Sequence, residues 1–142
     1  KILESEGLVI VRRGARYVTT LTERDVRDLH VLRCHLETLA VRLAAERVTE
    51  QDRLTMAEKL VDLEKAGTSG DPNDWTRCDL ALHRSIWQAS GNPHLLKILD
   101  SVLGAIFIMA DRVKARRDLD VTLEAKYHRD LVDLVSAGNG RR

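Results

Sequence analysis

Apolar residues recur with a helical period along most of this chain, and the places that break the pattern carry the information. Val26, Leu29, Leu32, Leu36, Leu39, Ala40 and Leu43 fall on one stripe at that period. Thr22 with Asp25 three residues on suits an N-cap and capping box, so a long helix is expected from there to about Val48. Thr49 opens a second helix, with Leu54, Ala57, Leu60, Val61 and Glu64 leading to Gly67, and residues 67–73 read as a loop. A third helix is expected over about 74–90, ended by Gly91-Asn92-Pro93. A fourth, over about 93–116, is apolar nearly all round in its middle, as a central bundle helix is. The last, over about 120–137, carries Val121, Leu123, Tyr127, Leu131, Val132, Leu134 and Val135 on its apolar arc. The expected fold class is all-α, an antiparallel helical bundle over residues 21–142.

Residues 1–20 follow a different rule. Lys1 to Ser5 suit the last turn of a helix stopped at Gly7. Leu8 to Val11 and Tyr17 to Thr20 are β-prone runs joined by a basic turn, Arg12-Arg13-Gly14-Ala15-Arg16, which reads as a hairpin. A helix end followed by a small hairpin with a basic tip is how a winged helix-turn-helix finishes. Arg12, Arg13 and Arg16 are then either a solvated tip or contacts to DNA phosphates, with Gly14 in the turn.

Composition narrows the class. The net charge of +1 excludes a polybasic nucleic-acid module, though not a local basic patch. Cys34 and Cys78 form no C-x-x-C pair, which argues against a disulfide framework or zinc knuckle and suits a reducing cytoplasm. No apolar run reaches the roughly 18 residues of a membrane span. The chain starts at Lys1 rather than Met and ends on Gly-Asn-Gly-Arg-Arg, so part of a longer protein is expected.

The candidate chemistry lies where polar residues enter apolar arcs. In the third helix Trp75, Leu82, Ile86 and Ala89 define the stripe, and Asp79 and His83, one turn apart, fall inside it. His128, with Glu124 one turn earlier, lies within the arc of the last helix, and Arg33 within that of the first. Buried ionisable groups are costly unless they converge. Two His and a carboxylate are a usual first shell for a divalent transition metal, and bundles build such sites from facing helices. The plainer alternative is a hydrogen-bonded core cluster, with Asp79 serving His83 or Arg33. Arg33 either pairs with Glu37, one turn on, or clamps an anion. His30, His35 and His94 read as surface residues, and Trp75 and Trp87 as core or pocket wall.

The run Glu6-Gly7-Leu8-Val9 to Arg13-Gly14-Ala15-Arg16-Tyr17-Val18 resembles the wing of GntR-family transcriptional regulators. Leu32-Arg33-x-x-Leu36-Glu37, then Ala44-Ala45, resembles the first helix of their FadR-like ligand-binding domain, the FCD type. Asp79-x-x-x-His83, Ala89-Ser90-Gly91-Asn92-Pro93 and His128-x-x-Leu131 complete the likeness, which covers essentially the whole chain. The resemblance implies that residues 1–20 are the end and wing of a winged helix-turn-helix, and that 21–142 are an effector- and metal-binding bundle lacking its last helix. In many members an Asp and three His bind a divalent metal, with small carboxylates beside it. Asp79, His83 and His128 match three of those ligands, and the fourth is expected beyond Arg142. Zinc is the first candidate, with nickel, manganese or iron as others.

The reading that follows is a cytoplasmic, homodimeric, DNA-binding transcriptional regulator that is not an enzyme. It would sense a small carboxylate at the metal site, with Arg33 as an effector contact and Arg12, Arg13, Gly14 and Arg16 as contacts to operator DNA. The alternatives are a metal-dependent helical-bundle hydrolase or isomerase, for which Glu124 is the only spare base, and a purely structural bundle.

Overall fold

The computed structural model describes residues 9–12, 15–18, 22–101 and 121–138. Two strands, β1 (Val9–Arg12) and β2 (Ala15–Val18), pair antiparallel with Val9 opposite Val18 and Arg12 opposite Ala15. The strands therefore run further into the basic turn than its composition suggests. Only residues 13–14 separate them, the shortest common hairpin connection. The expected helix end at Lys1–Ser5 lies outside the described residues.

The first helix, α1 (Glu23–Arg47), starts where its cap chemistry dictates. Thr22 Oγ1 accepts from the Asp25 amide, and Asp25 accepts in return from the Thr22 amide at 2.8 Å. Thr49 and Asp52 repeat that capping box at the start of α2 (Glu50–Ser69). Gly67 does not end α2; the helix runs on to Gly70, whose φ of 73° supplies the left-handed cap. Asp71 follows directly and caps α3 (Pro72–Ala89), with Pro72 in the first turn where no amide is needed. Gly91, at φ 63°, reverses the chain, and Asn92 Oδ1 accepts from the His94 and Leu95 amides to start α4. α4 is described over 93–101, and its expected continuation to about 116 lies outside the described residues. The last described helix is α5 (Val121–Ser136).

Both α3 and α5 pack against α1 and α2. One apolar cluster joins Ala44, Met56, Leu63, Ala66, Trp75, Leu82, Ile86, Val132 and Val135, and a second joins Ala40, Trp87, Leu95 and Leu99. Arg47, in the last turn of α1, donates to the Ser90 carbonyl at 2.7 Å and closes the C-terminus of α3. Arg53 of α2 does the same for Ser136 of α5 at 3.0 Å.

Three helix faces differ from the expected ones. In α2 the buried residues are Met56, Leu63 and Ala66, while Leu54, Ala57 and Val61 face outward. In α5 His128, Val132 and Val135 are buried, whereas Leu123, Tyr127 and Leu134 are exposed. In α1 Leu32 and Val26 lie outside the core that Ala40 and Ala44 enter. Each helix is apolar over more than half its circumference, so the arc was visible but its centre was not.

Candidate metal centre

α3 brings the first two groups together. Asp79 is 4% exposed and His83 half-buried, on the face shared by the buried Trp75, Leu82 and Ile86. α5 brings the third: His128, 8% exposed, reaches across the interior. His128 Nε2 lies 2.7 Å from Asp79 Oδ1 and 3.3 Å from His83 Nε2, and His83 Nε2 lies 3.5 Å from the same Asp79 oxygen. A divalent ion bound tetrahedrally at about 2.0–2.1 Å sets its ligand atoms about 3.3 Å apart. The three donors form one face of such a tetrahedron, with the carboxylate edge to His128 somewhat short. Each of them can offer a single ligand atom to one ion.

The outward nitrogens of the two rings each face an oxygen. His128 Nδ1 sits 2.7 Å from the Glu124 carbonyl, an acceptor that places the proton on Nδ1 and leaves the Nε2 lone pair facing Asp79 and His83. His83 Nδ1 lies 3.1 Å from Glu37 Oε1 on α1. Two indoles wall the cluster. Trp75 meets the His128 ring edge-on at 6.3 Å between centroids, and Trp87 tilts against His83 at 6.2 Å. Their apolar bulk lowers the local polarity and strengthens the field of the charges inside.

The electrostatics favour a cation. With both rings neutral, Asp79, Glu37 and Arg33 leave one net negative charge in a largely buried site. Burial alone would lower the His128 pKa, but the hydrogen bond and charge of Asp79 outweigh it, with the Glu124 carbonyl adding, and the result lies above the ordinary 6.5. Burial likewise pushes Glu37 up, yet His83 and then Arg33 pull harder and hold its carboxyl below the ordinary 4.5.

The other expected site residues are placed less directly. Arg33 does not stand as an open clamp: its Nε lies 3.0 Å from Glu37 Oε2, the pairing that one-turn spacing suggests. Arg12 and Arg16 fall on β1 and β2, and Arg13 and Gly14 lie outside the described residues. Glu124 serves the cluster through its backbone carbonyl. His30, His35 and His94 are exposed, and both cysteines are free. Glu37 is the residue whose contact with the cluster sequence reasoning missed. The spacing of Arg33, Glu37, Ala40 and Ala44 along one face of α1 was the signal that could have found it.

The FCD domain family matches residues 28–142 of the chain. The chain belongs to the FCD-domain family. An uncharacterized HTH-type transcriptional regulator of Bacillus subtilis, YdhC, is 30% identical to this FCD protein over 104 residues. That match takes in 72% of the chain but 46% of YdhC, so the chain spans about half the length of this relative. Among solved structures, E. coli McbR/YncC superposes with a TM-score of 0.87 at 21% identity, over 98% of this chain and 70% of that one. Streptococcus agalactiae GntR gives 0.68 at 21% identity, over 98% and 69%. At those identities the likeness is one of fold, and the fold is the all-α FCD bundle of GntR-family proteins.

Proposed function

We propose that this FCD bundle is the sensory part of a DNA-binding transcriptional regulator that answers to a small carboxylate at a divalent metal. The observation that carries the reading is the convergence of Asp79, His83 and His128 from two helices. A purely structural polar cluster has no need to bring two Nε2 atoms and a carboxylate oxygen onto one point. A divalent metal bound there supplies open coordination positions for a ligand carboxylate. Asp79 contributes the charge, the Glu124 carbonyl keeps His128 turned inward, and the two tryptophans pack against the rings. On this reading residues 1–20 are the end and wing of the DNA-binding domain, with Arg12, Arg13, Gly14 and Arg16 as its contacts to phosphates, and residues 21–142 are the sensor.

The coupling to DNA runs through α1. Glu37, on that helix, touches His83, and the same helix begins at Glu23, soon after β2. A ligand that favours one placement of α1 shifts the spacing of two DNA-reading heads in a homodimer, by no more than its differential affinity for the two placements. No helix among the described residues is long and apolar enough to cross a membrane, which fits a cytoplasmic regulator. The FCD match and the likeness to a transcriptional regulator favour this reading over the hydrolase alternative.

The test is binding of the full-length protein to its operator duplex across a salt series, with zinc or chelator, and with a panel of small hydroxy and sugar acids. A carboxylate that changes operator affinity in zinc but not in chelator supports the reading. Operator affinity indifferent to metal and to every carboxylate, or no salt-dependent DNA binding at all, contradicts it.

A further inference from the structure

Glu37 divides its two oxygens between two partners, and both contacts are largely shielded from water. Oε2 lies 3.0 Å from Arg33 Nε and Oε1 lies 3.1 Å from His83 Nδ1, with side chains 18%, 20% and 14% exposed for Glu37, Arg33 and His83. The Oε1 approach is short, yet this ring orientation does not align it as a hydrogen bond, and no other donor reaches that oxygen. A buried carboxylate oxygen left so is costly. The Nδ1–H of His83 is the donor at hand.

His128 and His83 thus differ in what holds them. A neutral peptide carbonyl fixes His128, whereas a charged side chain from another helix faces His83. A carboxylate on Nδ1 favours the Nδ1–H tautomer and leaves the Nε2 lone pair toward Asp79 and His128.

We propose that Glu37 is the positioning residue of the metal site, holding His83 in its metal-ready tautomer, with Arg33 anchoring the Glu37 carboxylate rather than acting as a free anion clamp. The proposal rests on the metal reading above, and it ties the metal directly to α1. A ligand anion that drew Arg33 away from Glu37 would alter the hold on His83, so metal and ligand affinities would be coupled, each changing the other by the same factor.

The experiment uses full-length protein, zinc titrated against a competing chelator, and three variants: Glu37→Ala, Glu37→Gln and His83→Ala. Glu37→Ala is expected to weaken zinc binding about 10- to 100-fold. Glu37→Gln should recover part of that loss, because its amide oxygen still accepts from Nδ1–H. Nitrogen-15 spectra of the metal-free protein should show His83 as the Nδ1–H tautomer in wild type and shifted toward Nε2–H in Glu37→Ala, a change that loss of packing alone does not produce. Where the alanine variant fails to fold, the glutamine variant decides, through weaker zinc binding with the wild-type tautomer kept. Wild-type zinc affinity in both Glu37 variants, with binding lost in His83→Ala, leaves the metal site standing and overturns the role of Glu37. Zinc binding that survives His83→Ala unchanged, or that is absent from wild type, brings down the metal reading and this inference with it.

Discussion

Asp79→Asn separates a binding cluster from a structural one. The substitution keeps side-chain volume and removes the charge of a carboxylate that is 6% exposed, 2.7 Å from His128 Nε2 and 3.5 Å from His83 Nε2. In metal-free protein the loss is that of the carboxylate's attraction for a protonated His128, about 1.5–3 kcal/mol. In the presence of metal the larger effect is on binding. At a free zinc concentration 1,000 times its Kd, wild type gains about 4 kcal/mol of stability from the bound ion. Removing an inner ligand costs at least the roughly 100-fold that a strong outer partner can be worth, which leaves the variant a gain of about 1.4 kcal/mol at the same zinc concentration. At about 4 °C per kcal/mol for a domain of this size, the zinc-induced rise in Tm drops from about 16 °C to about 6 °C. Scanning calorimetry of both proteins, in chelator and in buffered zinc, reads all four states. A zinc-induced rise in Asp79→Asn equal to that of wild type would refute the reasoning, whatever the variant does in chelator.

Four further outcomes are expected. Because the His128 pKa is raised by folding, its contribution to metal-free stability is complete below the unfolded value near 6.5 and is lost as pH rises through the folded pKa. Urea melts in chelator should therefore weaken over that window, while competitive titrations show zinc affinity climbing as the displaced proton becomes easier to remove. Leu82→Ala, at a fully buried position, should cost about 2–5 kcal/mol in the same melts. Gly91→Ala should cost about 1–2 kcal/mol, from backbone strain at φ 63°, since the new Cβ meets Arg47 only at an ordinary 3.5 Å. Arg16→Ala in the full-length protein should weaken operator binding evenly across sequences and reduce the salt slope by about one; an unchanged slope removes Arg16 from the DNA contacts.

What could be read in advance was whatever a local rule dictates. The capping box at Thr22, the helix start at Thr49 and the break at Gly91 need only neighbouring residues, and they fell where expected. The inward turn of Asp79, His83 and His128 was legible because a charged group on an apolar stripe is conspicuous against its neighbours. The faces of α2 and α5 were not, because Leu54, Val61, Tyr127 and Leu134 are as apolar as the residues that do enter the core. Only the packing of the other helices selects among them. Glu37 was hidden for a related reason. Its spacing to Arg33 explained it fully within one helix, and its second contact, to His83, exists only once α1 lies on α3.

X-ray absorption at the zinc edge of the metal-loaded full-length protein tests the central claim most directly. A shell of nitrogen and oxygen at about 2.0–2.1 Å is expected, with the outer scattering of at least two imidazoles. One imidazole should disappear in His83→Ala and one in His128→Ala. A sulfur shell, no imidazole scattering, or spectra unchanged in both variants would place the metal elsewhere and contradict the site built on Asp79, His83 and His128.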